Sequence, residues 1–402
     1  MGMLNLSKMG LMVFAVCIAA EIAAPAQSFT TLLSFDGSNG AYSEYGYPIQ
    51  GSDMNIYGTT SAGGTYDQGT IFKLTPGGTL TTLYNFCSKT NCTDGAQPFG
   101  GLLQFSDGNF YGTTYTGGTH GWGTVFKITP AGVLTTLHSF AGGPNDGGYP
   151  YAGLIAVGGN FYGTTWYGGA NSAGAAVAGT VFEVTPAGKL TILYSFCSQS
   201  NCADGAGPYA ALVETGGNLY GTTSAGGTNS QGTVFEITQT GTLTTLHDFC
   251  SQGTDGSCTD GGSPYAGLVF ANGNLYGTTT WGGGASYVGN VYQITLAGQL
   301  TSLYSFCSKT NCTDGDLPYG GLAQASDGNL YGTTEYGGTK NQGTLFKVTT
   351  AGKLTTLHSF SLANGIYPYG GLVEGNGVLY GATSSGGSRY DGTIFSLSLG
   401  KK

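Results

Sequence analysis

Eight of the nine cysteines fall into four close pairs, Cys87/Cys92, Cys197/Cys202, Cys250/Cys258 and Cys307/Cys312. Two thiols this close can form a disulfide or supply half of a zinc site. Zinc needs four ligands, each loop offers two, and no histidine accompanies a pair, so disulfides are expected and a metal is not. Paired cysteines in even number belong with an oxidising, exported setting. Each bridge closes a small loop and contributes on the order of 2 kcal/mol, enough to pin one loop apiece.

The second chemistry is stacking. The three tryptophans, Trp122, Trp166 and Trp281, stand in glycine-rich stretches with Tyr66, Tyr115, Tyr167, Tyr287, Tyr336 and Tyr390. Flat aromatic faces beside Asn171, Asn229 and Asn341 suit sugar rings, and they suit protein interfaces equally. Trp122, Trp166, Tyr167, Trp281, Tyr336 and Tyr390 are the candidate ligand contacts. The alternative is that they pack between neighbouring loops.

Acids and histidines give less. Asp94, Asp146, Asp204, Asp260 and Asp314 each precede glycine, which marks a turn. A calcium site needs six or more oxygens, and no EF-hand spacing is present. His138, His247 and His358 take the place that Tyr84, Tyr194 and Tyr304 hold in other copies of one segment, a structural pattern; His120 stands alone. No Ser-His-Asp or Cys-His set can be assembled, so no catalytic residue and no cofactor is expected. Glu44 and Glu335 interrupt otherwise repeated positions, as a carboxylate pair for glycoside cleavage would.

These residues are spaced by a repeat. "NLYGTT" occurs at 218–223, 274–279 and 329–334, with near copies at 55–60, 109–114, 160–165 and 378–383. The tyrosines are 49 to 58 residues apart, about one four-stranded propeller blade. Residues 98–140 show the unit. "GGLLQF", "NFYGTT", "GTVFKIT" and "VLTTLHSF" are rich in β-branched and aromatic residues, with "SDG" and "PAG" between them as tight turns. Tyr111 supplies bulk between sheets, Gly112 permits close approach, and Thr113 and Thr114 are strand formers. The small pairs before the first strand fit the crowded centre of a ring.

Seven copies of the third strand exist, and the last, "GTIFSLSL", has no fourth strand after it. An orphan fourth strand, "FTTLLSF" at 29–35, stands near the start. The counts are shifted circularly by one strand, as in a propeller whose N-terminal strand completes the last blade; closure also protects sheet edges. The spacing therefore predicts an all-β, seven-bladed β-propeller over 27–402. Its short turns join strands one-to-two and three-to-four, so its long loops share one face, where binding residues concentrate.

The unit "GNLYGTT…GG…GT-V/I-F-K/E…LTTLYSF" resembles the Gloeo_Verruco (GloVer) extracellular repeat, over about residues 29–398. The resemblance implies a bacterial exported repeat protein, often with a C-terminal anchor, and brings no established activity. No anchor is expected after "GTIFSLSLGKK".

Composition excludes other classes. Only 12 basic residues against 21 acidic ones leave a net charge of −9, which excludes a nucleic-acid partner. Lys8, the apolar run 9–20 and "APA" at 24–26 predict a secretory signal over 1–26. No membrane span is expected after its removal, and a secreted, extracellular or periplasmic monomer is. The leading function is an exported, non-catalytic binding or interaction module for a polysaccharide or surface protein. The alternatives are a secreted carbohydrate-active enzyme and a purely structural surface or matrix protein. Binding predicts an aromatic cleft, an enzyme predicts converging carboxylates of shifted pKa, and a structural role predicts neither.

Overall fold

The computed structural model describes residues 27–400 except 44–45, 172–176, 253–257 and 285–286. The expected leader and Glu44 lie outside the described residues. Seven four-stranded antiparallel sheets form the blades of a β-propeller. Blade two shows the pattern, with strands Leu103–Gln104, Phe110–Thr114, Thr124–Ile128 and Leu134–Ser139 from the axis outwards. The inner strand is shorter than "GGLLQF" suggests. A side chain on Gly100 would meet the backbone of Ala152 in the next blade at 2.5 Å, so the chain enters the axis as two bare glycines before pairing begins.

The last blade is completed by the first strand. Ser28–Ser34 pairs antiparallel with Thr393–Ser398, with Phe29 opposite Leu397 and Ser34 opposite Thr393. Phe35 is fully buried, and the ring of Phe29 stacks on His358 of blade six at 3.7 Å. The seam between last and first blades also carries a backbone bond, Tyr42 N–H to the Asp391 carbonyl at 3.0 Å. On the opposite face the Asn376 amide reaches Gln50 Oε1 at 2.8 Å.

Each residue of "YGTT" has one job. Tyr111 is buried against Phe161 of the next blade, with ring centroids 4.2 Å apart, and its hydroxyl donates to Asp107. Gly112 lies opposite Phe126 in the register, and a Cβ there would lie 2.7 Å from the Phe126 ring. The Thr113 hydroxyl donates across the blade boundary to the Ala152 carbonyl at 2.7 Å. Equivalent threonines make the same bond from Thr59 to Gly100 and from Thr222 to Ala266. Thr114 bonds Thr124 within the blade at 2.8 Å. The hexamer thus joins strand to strand and blade to blade. Gly112→Ala is expected to cost about 1–3 kcal/mol, the range for overpacking a filled core, read as a lower urea midpoint at unchanged slope. A midpoint equal to the parent's would show that the Phe126 ring yields freely.

Candidate functional site at the axial mouth

The long loops form one face because they pair with each other. The fourth-to-first loop and the second-to-third loop exchange backbone bonds in both directions, as between Ala96 and Thr116 at 2.9 and 3.1 Å. Buried aspartates shape this face. The Asp94 carboxylate accepts the Tyr84 hydroxyl at 2.7 Å, the Ser88 amide and hydroxyl at 2.9 and 2.8 Å, and the Lys89 amide at 3.2 Å. Asp204 and Asp314 repeat the arrangement with Tyr194 and Tyr304. At Asp146 and Asp260 the partners are His138 and His247 instead. The cysteine pairs are disulfides, Cys87–Cys92, Cys197–Cys202, Cys250–Cys258 and Cys307–Cys312, and each closes the loop that its aspartate anchors.

At the inner edge of this face, six blades place an aromatic ring directly after a proline: Phe99, Tyr151, Tyr209, Tyr265, Tyr319 and Tyr369. All six are half-buried. They touch in succession around the axis. Phe99 stacks on Tyr151 at 5.4 Å, and Tyr151 on Tyr209 at 4.0 Å. Tyr209, Tyr265, Tyr319 and Tyr369 continue at 5.3, 5.3 and 5.5 Å in edge-on or tilted contacts. Tyr151, Tyr209, Tyr265 and Tyr319 line two cavities, of about 250 and about 380 Å³. The first continues along the axis past glycines and alanines. Tyr47 stands in it at the level of Gly101 and Gly371; a Cβ on Gly371 would lie 3.4 Å from its ring.

Blade six adds charge to this ring. The residue after "YGTT" is serine, threonine, tyrosine or tryptophan in other blades and Glu335 here. Glu335 is 4% exposed and accepts the Tyr369 hydroxyl. Burial pushes its carboxyl above the ordinary value; the Tyr369 and Tyr336 hydroxyls pull the other way, and the Asp316 charge adds to the rise. Asp316 stands where other blades have alanine, glycine or isoleucine, and its backbone pairs with Tyr336. Its Oδ1 is buried without a hydrogen-bond partner, and burial raises its pKa as well. The Tyr336 phenol, bonded to Glu335 and partly buried, is pushed up to about 12.

The candidate contacts occupy three zones of the face. Trp166 reaches the mouth, edge-on to Tyr151 at 6.2 Å. Trp122 and Tyr167 stack at 5.1 Å beside Tyr149, off the axis between two blades. Tyr336 meets Tyr367 edge-on at 5.3 Å. Trp281, 38% exposed, lies near Tyr287, and Tyr390, 59% exposed, stands at the outer surface. The asparagines bond the backbone: Asn171 and Asn229 donate to the carbonyls of Phe196 and Phe249, and Asn341 accepts the Gly337 amide. The sequence signals the axial aromatics only by "PF" or "PY" before the small pair in six repeats.

Among the described residues, no three His, Cys, Asp or Glu side chains cluster to hold a metal, and no helix is long and apolar enough to cross a membrane. The model of the Gloeobacter/Verrucomicrobia repeat matches residues 49–259 and 254–402. No curated protein matches the chain in sequence. Solved structures match in fold. One is the extracellular domain of a protein described as a hybrid two-component system from B. thetaiotaomicron, at TM-score 0.59 and 12% identity over 93% of this chain and 40% of that one. A puromycin-hydrolysing peptidase of Mycobacterium tuberculosis matches at 0.53 and 12%, over 92% of this chain and 54% of that one. A Bacteroides uniformis protein described as a 6-phosphogluconolactonase matches at 0.50 and 16%, over 86% and 87%. This chain thus spans well under two thirds of the first two.

Proposed function

The chain belongs to the Gloeobacter/Verrucomicrobia repeat family, and we propose that it is an exported, non-catalytic binding module whose long-loop face engages an extracellular polysaccharide. The observation that carries this is the run of six touching aromatic rings at the axial mouth, flanked by Trp166 and open to that face. Rings held by neighbours lose little freedom on binding, and they offer flat apolar area beside phenolic hydroxyls. Trp122 with Tyr167, Trp281, Tyr336 and Tyr390 extend the surface for a ligand longer than one sugar. Export is supported by the four disulfides, which persist in oxidising compartments, and by the leader-like segment 1–26. The fold is shared by an extracellular domain and by proteins named as enzymes, so it does not choose between roles.

A glycan array probed with the full chain tests the proposal. At least one polysaccharide is expected to bind, and Trp166→Ala is expected to weaken it about tenfold, or about 1.4 kcal/mol, with circular dichroism unchanged. No binding to any glycan, or variant binding equal to the parent's, would overturn it. Buried Glu335 beside Asp316 favours a second reading, a secreted carbohydrate-active enzyme in which Glu335 is the acid. Release of reducing sugar from a bound glycan, lost in Glu335→Gln, would favour that reading.

A further inference from the structure

We propose that the axial mouth recognises an organic ammonium group, the protonated amine of an amino sugar or an alkylammonium head. The proposal rests on the reading of the long-loop face as a binding surface and names what enters its centre.

The polar character of the mouth is one-sided. The Tyr369 hydroxyl gives its proton to Glu335, so its oxygen presents lone pairs and not a proton. Behind Tyr369 stands Glu335, which the Asp316 charge influences in turn; neither carboxyl lines a cavity, and no lysine, arginine or histidine does. Asp316 Oδ1 is buried with no donor. A buried oxygen without a partner costs free energy, and a positive charge in the neighbouring mouth lowers the cost of keeping it ionised. Both carboxyls are blade-specific: a symmetric ring would place Ser, Thr or an aromatic at one position and a small or aliphatic residue at the other. The rest of the wall is aromatic. Tyrosine faces attract a cation within about 6 Å of the ring centre, so the aromatic lining and the Tyr369 hydroxyl backed by Glu335 favour the same kind of ligand.

Competing ligands fit less well. An anion would find no cationic side chain among the lining residues, on a chain of net charge −9. A neutral sugar can stack on the rings but supplies no charge to the carboxyls. The pocket also narrows: Tyr47 stands in the axial cavity among the inner glycines, so a compact head enters from the mouth and a chain does not thread through. The Asp316 charge makes Glu335 harder to ionise, and a cation bound at the mouth would oppose that effect.

The test titrates the full chain with choline chloride, glucosamine hydrochloride, glucose and ionic-strength-matched sodium chloride, followed by tyrosine fluorescence and by NMR shifts. Choline and glucosamine are expected to bind at least tenfold tighter than glucose, and sodium chloride is expected to cause no comparable shift. Tighter glucosamine identifies an amino sugar as the source, tighter choline an alkylammonium head. Glu335→Gln, which keeps an acceptor for the Tyr369 hydroxyl, is expected to weaken both ammonium probes about tenfold or more. The ranking in the parent protein needs no variant, so the proposal stays testable if Glu335→Gln misfolds. Glucose binding as tightly as glucosamine, no response to either ammonium probe, or a folded Glu335→Gln that binds them like the parent would each overturn it. Glycans bound on the array without any ammonium response overturn this proposal alone; an ammonium response with no glycan bound supports it and overturns the polysaccharide reading instead.

Discussion

Deletion of residues 27–36 is expected to lower the melting temperature by about 10 °C or more and to leave a chain that self-associates. The segment supplies the outermost strand of the last blade, Ser28–Ser34, bonded along its length to Thr393–Ser398. Phe35 is fully buried, and Leu32 and Leu33 pack against the cluster that holds Ile56, Phe72 and Ile394. Truncating one buried phenylalanine costs about 3–5 kcal/mol. The deletion removes Phe35, Phe29 with its stack on His358, and a full ladder of backbone bonds. It also bares Thr393–Ser398 as an unpaired, largely buried apolar edge, which is a template for another chain. Scanning calorimetry and light scattering on the truncated protein read both effects. A monomer with the parent's melting temperature would mean that the ring closes without this strand. Phe35→Ala is a milder companion, expected to lose about 3–5 kcal/mol in urea titration.

The same strand shows what the sequence made legible. "FTTLLSF" matched the fourth strand of every other repeat and had no blade of its own, so its partner followed from counting. The blade order and the placing of long loops on one face followed from turn chemistry repeated seven times. The disulfides followed from spacing. The mouth was harder to see for a physical reason. A residue repeated in each blade, such as Tyr209 or Tyr265, reads as architecture within one blade; only closure brings the copies to a common axis, where they form a surface. The unrepeated aromatics include Trp166, which does reach that mouth beside Tyr151, but also Trp281 and Tyr390, which are exposed. Glu335 was legible as a break in the repeat. Asp316 was not, because it follows Asp314-Gly315 and reads as part of the turn, and nothing in spacing says that the loop carries it beside Tyr336. Backbone bonding decided the asparagines: in a tight loop an amide satisfies nearby carbonyls first.

Asp314→Ala is expected to cost about 3–5 kcal/mol at pH 7, far more than an ordinary turn residue, because it orphans several buried donors at once. The Asp314 side chain is 0% exposed and accepts the Tyr304 hydroxyl at 2.7 Å, the Ser308 amide and hydroxyl at 2.9 and 2.8 Å, and the Lys309 amide at 3.2 Å. Asparagine should rescue part of the loss, since its Oδ1 can take the place that faces Tyr304 and Ser308 while its NH₂ opposes the Lys309 amide. The pH dependence separates this explanation from simple packing. Burial alone would raise the Asp314 pKa, but the hydrogen bonds from Tyr304 and Ser308 outweigh it, and the carboxyl titrates below its ordinary value. Asp94 and Asp260 shift the same way, with Tyr84 and Ser88 bonded to one, His247 and Ser251 to the other. A carboxyl with a lowered folded pKa contributes its full stability above the unfolded value of about 3.9 and loses it as pH falls through the folded one. The parent should therefore weaken steeply below about pH 4, with three such anchors protonating together. The Asp314→Ala variant has one fewer, so its deficit relative to the parent should shrink on going from neutral pH to about pH 2–3. Urea titrations of both proteins across that range measure it. A deficit that stays constant down to the acid limit would place the cost in lost packing and remove the charged anchor as the reason these loops hold their shape.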